Sequence, residues 1–177
     1  SVFDDAELVV GICAKGIAET YSNKDMKDTT EWVRRPQIGA KGLVYVKYQE
    51  DGSIKSTVSK FYTDEELHQW AAKFGAEKGD VIFVLSGEAE KTRKQLNELR
   101  LELGKKLGLI KAGDFKPLWV LDFPLLEWDE EAGRFHAMHH PFTSPKKEDI
   151  ARMLDGDHET MKSLKADAYD LVINGAE

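Results

Sequence analysis

Apolar residues fall in short blocks along the first two thirds of the chain, and their spacing predicts alternating elements. Residues 7–13 (Glu-Leu-Val-Val-Gly-Ile-Cys) form a short apolar run that reads as a strand. Residues 23–35 read as a polar helix, with Asn23 as its cap and its end fixed by Pro36, because a residue before proline avoids the helical region. Residues 42–48 alternate Leu43, Tyr45 and Lys47 against Val44, Val46 and Tyr48. The turn signal Asp51-Gly52 follows, and 54–61 returns as the second arm of a hairpin. Thr63 and Glu66 have the spacing of a capping box. The helix they open presents Leu67, Trp70, Ala71 and Phe74 and stops at Gly75. Residues 80–85, apolar without alternation after Asp80, read as a buried strand. Residues 88–107 place Leu96, Leu99, Leu103 and Leu107 at helical spacing before Gly108.

This order, strand–helix–strand–strand–helix–strand–helix, predicts an α+β fold of two layers, an antiparallel sheet with helices on one face. Residues 110–117 are the expected joint. Beyond it the pattern predicts strands over 118–128 and 134–142, a charged helical stretch over 146–165, and a further strand within 168–177. The domain division expected is 1–115 and 116–177.

The 177 residues suit one domain, or one and a part, and 41% hydrophobic with 32% charged residues fit an ordinary globular chain. No run approaches the roughly 18 apolar residues of a membrane span, and Asp4-Asp5 stands where a signal peptide would be basic. The lone Cys13 has no internal disulfide partner, which suits a reducing, cytoplasmic setting, and it reads as a buried strand residue. A net charge of −7 gives no chain-wide basic face, so the main nucleic-acid contacts of any RNA-binding parent are expected outside this piece. Ser1 at the start, and a stop at Glu177 two residues past Asn174-Gly175, read as a fragment incomplete at both ends.

Candidate chemistry gathers late in the chain. His136, His139 and His140 lie in Arg134–Pro145, after the apolar Leu118–Glu127 and an acidic turn. On a strand, His136 and His140 would share a face and His139 would point the other way. Zinc is disfavoured, because a structural site needs four convergent Cys or His ligands. Asp170 and Glu177 flank the Asn174-Gly175 hairpin signal. A two-residue turn there would pair Ile173 with Ala176 and Val172 with Glu177, and set Glu177 diagonal to Asp170. That spacing suits two carboxylates on one Mg²⁺ beside nucleotide phosphates. Asp122, in an apolar run before Pro124, reads as a structural hydrogen-bonder. Gly39-Ala40-Lys41-Gly42 lacks the spacing of a Walker loop and reads as a turn, the role of Lys41 left open. Lys146, Lys147 and Arg152 read as a solvated helix face, with nucleic-acid contact as the alternative.

Gln37–Lys47, Gly79–Val84 and Leu99–Gly104 resemble the GAD insertion domain, shared by an amidotransferase subunit and aspartyl-tRNA synthetases. Leu118–Glu127, Met138-His139-His140-Pro141-Phe142-Thr143 and Ala168–Glu177 resemble, in order, the class II catalytic domain of the bacterial-type aspartyl-tRNA synthetase family. The resemblance implies a GAD domain followed by a partial class II antiparallel catalytic sheet. It implies aspartate contact at His139, a nucleotide-side position for His140, and ATP–Mg²⁺ binding by Asp170 and Glu177. It further implies ATP and Mg²⁺ as cofactors, aspartate and tRNA as substrates, and a homodimeric parent. The arginine-bearing and glycine-rich motifs of that family are absent, so the isolated piece is expected to be inactive. Two other readings stand: a non-enzymatic GAD module of an amidotransferase, and a metal hydrolase using His136, His139, His140 and Asp170. Whether the parent also charges asparagine tRNA is not legible in these residues.

Overall fold

The computed structural model describes residues 3–175. Two compact units divide between Ile110 and Lys111.

The first unit runs β1 (Leu8–Ala14), α1 (Asn23–Val33), β2 (Val44–Tyr48), β3 (Ile54–Ser56), α2 (Asp64–Lys73), β4 (Val81–Gly87) and α3 (Ala89–Lys106). The four strands form one antiparallel sheet in the order β1-β4-β2-β3. The element order predicted from the sequence is the one observed, although β3 is much shorter than 54–61. At α1 the cap is Ser22 rather than Asn23. Ser22 and Asp25 form a reciprocal capping box, and Asn23 is already the first helical residue. The Thr63–Glu66 box caps α2 as expected.

The expectation of helices on one face is overturned. Val81, Phe83 and Leu85 of β4 pack with Met26 and Val33 of α1 and Leu99 and Leu103 of α3. The alternate residues Ile82 and Val84 pack with Val46, Val58 and with Leu67 and Ala71 of α2. The sheet is therefore covered on both faces, which is why β4 is an unbroken apolar run instead of an alternating one. Opposite it, Gly11 pairs with Val84, and a Cβ there would stand 2.5 Å from the Phe83 carbonyl oxygen. Only glycine fits that closely paired position.

The second unit contains β5 (Pro117–Leu121), β6 (Leu126–Asp129), β7 (Arg134–Ala137), a 3₁₀ turn (Lys147–Asp149), α4 (Ile150–Leu154), α5 (His158–Ser163) and β8 (Tyr169–Ile173). β6 and β7 form an antiparallel hairpin across the acidic turn. β5 does not join them; it pairs with β8. The run 146–165 is broken at Asp155-Gly156, after which the Asp157 carboxylate caps α5 by accepting from the Thr160 N–H. Leu125, Leu164 and Ala166 make a small core, while Leu118, Trp119, Leu121 and Tyr169 of the β5–β8 ribbon remain exposed. No helix among the described residues is long and apolar enough to cross a membrane.

Candidate functional site

In the second unit the segment 164–167 runs between two other stretches. Leu125 N–H donates to the Leu164 carbonyl at 3.0 Å, and Ala166 N–H to the Phe123 carbonyl at 2.7 Å. On the other side Lys146 N–H donates to the Lys165 carbonyl at 2.9 Å, and Asp167 N–H to the Ser144 carbonyl at 2.8 Å. This irregular ladder brings 123–125, 144–146 and the start of β8 together. No local sequence signal marks it, because its pairings span tens of residues.

The histidines are placed by that framework and not by a strand. β7 ends at Ala137, so His139 and His140 lie in the exposed stretch after it, and the expected strand alternation between them does not exist. Pro141 and the turn closed by Thr143 N–H on the His140 carbonyl (3.0 Å) end the pairing. Met138 N–H donates to the Leu125 carbonyl at 3.2 Å and anchors the stretch. The His139 ring stands edge-on to Phe123, centroids 5.0 Å apart. In His140, Nδ1 accepts from the Phe142 N–H at 3.1 Å, so its proton-bearing nitrogen is Nε2, the atom left for a ligand. His136 faces Glu127 across the hairpin, Nε2 to Oε2 3.6 Å.

Asp122 adopts a left-handed backbone, φ 62°, at the end of β5, and its carboxylate forms an ion pair with Lys146. That hydrogen bond holds the Lys146 ammonium above its ordinary pKa. Arg152 pairs with Asp149 and donates to Ser163 Oγ at 2.7 Å. Lys146 and Arg152 are thus committed to internal contacts rather than to a free basic face. The structural reading of Asp122 fits its partner.

Asp170 sits on β8 opposite Val120, half-buried, on the same face as Val172. Asn174 and Gly175 follow with φ of 54° and 83°, the two positive values that a type I′ turn requires. Asn174 also fastens the start of the unit: Oδ1 accepts from Lys116 N–H at 2.9 Å and Nδ2 donates to the Asp114 carbonyl at 2.7 Å. Glu177, and the pairing expected of Ala176 and Glu177, lie outside the described residues. Among the described residues no three of His, Cys, Asp and Glu gather as a metal site. The constellation of His136, His139, His140 and Asp170 that a metal hydrolase would need is therefore not formed. Asp170 by itself offers one carboxylate, which suits a Mg²⁺ ion held mainly by phosphates and water.

Residues 1–108 match the GAD domain family. Across its whole length the chain is similar to aspartate–tRNA ligases. It is 58% identical to that of Flavobacterium psychrophilum over 176 residues, 99% of this chain and 29% of the relative. It is 56% identical to that of Bacteroides thetaiotaomicron and 56% identical to that of Porphyromonas gingivalis, each over 178 residues, all of this chain and 30% of the relative. The chain thus spans about 30% of the length of the curated relatives it matches.

Proposed function

The chain belongs to the GAD domain family, and from that premise we propose that it is a segment of a bacterial-type aspartate–tRNA ligase. One observation carries the reading: the identity of 58% extends over 176 residues, well past the GAD domain at residue 108. A GAD module of an amidotransferase would give no reason for the β5-to-β8 unit to follow. In this reading residues from about 116 onward contribute part of a class II catalytic domain. The exposed β5–β8 ribbon then has further strands to cover it in the whole protein.

The whole protein would activate aspartate with ATP and transfer it to tRNA, in the cytoplasm, as a homodimer. His139, exposed beside Phe123, contacts the aspartate carboxylate. His140 donates from Nε2 on the nucleotide side. Asp170, with Glu177, holds Mg²⁺, which when bound neutralises charge on the ATP phosphates. The 177 residues alone lack the arginine-bearing motifs and are inactive. Aspartate-dependent ATP–pyrophosphate exchange, measured on the full-length gene product and on the 177-residue chain, tests this. Exchange is expected only from the former. A full-length product without aspartate-dependent exchange would overturn the reading.

A further inference from the structure

The first unit carries a basic island in an acidic chain. From Trp32 to Gln49 there are four cations, Arg34, Arg35, Lys41 and Lys47, and no Asp or Glu. Lys47 is tied to the Tyr21 carbonyl at 2.8 Å. The other three are exposed, and among the described residues none has an acidic partner.

The loop between α1 and β2 displays them rigidly. Ala40 and Leu43 are buried in the main core, and Ile38 packs against it. Ala40 N–H is held by the Val33 carbonyl at 2.9 Å, and Gly39 turns the chain with φ 74°. Lys41 is left pointing outward between inward anchors. The Arg34 guanidinium reaches over Gly42, 3.6 Å from where a Cβ would stand. The backbone N–H groups of Lys41 and Gly42 have no acceptor among the described residues.

Next to the loop lies a cleft lined by Gly39, Lys41, Ser86, Lys91, Thr92 and Gln95. Thr92, on the first turns of α3, is only 1% exposed and forms the floor of this cleft. Glu88, also at this cleft, is paired with Lys91, and Glu7 already accepts from the first N–H of α3, at Ala89. The N-terminal end of α3 is therefore already met by a carboxylate, which leaves the loop donors as the open ones.

We propose that the 34–42 loop and the adjoining cleft form a docking surface for the phosphate backbone of RNA. Arginine forks, a lysine and free backbone N–H groups, with no acid among residues 32–49, are the donors that successive phosphodiesters accept from. The surface is sequence-neutral and salt-sensitive. This rests on the ligase reading for the identity of the RNA, a tRNA, and it adds a contact surface within this piece to the main contacts expected outside it.

The test uses the ¹⁵N-labelled 177-residue chain and an unmodified tRNA transcript at low salt. Amide shifts are expected at residues 34–43 and 91–95. The variant R34Q/R35Q/K41Q, all exposed positions, should melt like wild type. It should bind about tenfold more weakly, with a salt slope flatter by roughly two to three. Wild type that does not bind, a variant within twofold of it, or shifts confined to residues 111–177 would overturn the proposal. Polyglutamate binding as tightly as tRNA would also overturn it, in favour of an acidic protein partner. Pyrophosphate exchange needs no tRNA, so failure here leaves the ligase reading standing, and failure there leaves this surface standing without its named RNA.

Discussion

Asp80 is buried, yet it reaches Lys15 Nζ at 2.9 Å, a cation that is mostly in solvent. The sheet register makes the meeting: Ala14 pairs with Val81, so the residues just beyond β1 face the one just before β4. The same carboxylate accepts from Gly16 N–H and Glu77 N–H, each at 2.8 Å. Burial pushes the Asp80 carboxyl up, but the Glu77 N–H, Lys15 and the Gly16 N–H outweigh it and hold the pKa below the ordinary carboxylate value.

Asp80→Ala leaves two N–H groups without their acceptor and should cost about 2–4 kcal/mol. Lys15→Met loses a solvent-screened partner and an exposed hydrogen bond to the Gly75 carbonyl (2.6 Å), and should cost about 1 kcal/mol or less. Because the folded pKa is depressed, the Asp80 contribution is complete above the unfolded carboxylate pKa and is lost as pH falls through the folded one. Urea unfolding of wild type and Asp80→Ala across pH 2–7 should show the gap between them narrowing on the acid side. A gap independent of pH would refute the assignment.

Cys13 lies beside the same carboxylate, Sγ to Oδ2 3.6 Å. Burial and the Asp80 charge raise its thiol to a pKa of about 11. At pH 8 its alkylation by iodoacetamide should run roughly a hundredfold slower than that of an unfolded cysteine peptide. Removing Asp80 should speed it, provided the variant is assayed folded. Equal rates for protein and peptide would contradict the geometry.

The α1 cap distinguishes two neighbouring residues. Ser22→Ala should cost about 0.5–2 kcal/mol, since Ser22 Oγ accepts from the Asp25 N–H at 3.2 Å. Asn23→Ala, inside the helix, should be within about 0.5 kcal/mol of neutral. Thermal melts of the two variants read the difference directly.

His139 and His140 should separate kinetically in the full-length enzyme. His139→Ala should raise the aspartate KM roughly tenfold to a hundredfold, the loss expected of a charge-assisted hydrogen bond of about 1.5–3 kcal/mol. His140→Ala should act more on ATP, through the loss of its Nε2 donor. Exchange kinetics varying each substrate separately provide the check, and an aspartate KM within twofold of wild type returns His139 to an ordinary surface histidine.

Residues 1–115 should melt cooperatively as an excised piece, because the double-sided core lies within residues 17–103. A broad melt with strong dye binding would show that the first unit depends on the rest.

Local chemistry was legible in the sequence wherever an element is decided by its neighbours along the chain. The Thr63–Glu66 box, the unbroken run of β4 and the Asn174-Gly175 turn each announced themselves through spacing, and the first unit's element order followed. The residue motifs around His139 pointed to the family for the same reason. Partners did not announce themselves. Period-two alternation tells which faces a strand presents, not which strand lies beside it, so the pairing of β5 with β8 across some fifty residues was decided only by tertiary structure. The second helix layer under β4 was decided the same way, since an amphipathic helix needs an apolar face and α2 found the one that α1 and α3 left open. The histidine pair left the strand because Pro141 and the turn at His140–Thr143 interrupt pairing, and the site's framework came from the 164–167 ladder, which long-range backbone hydrogen bonds alone create.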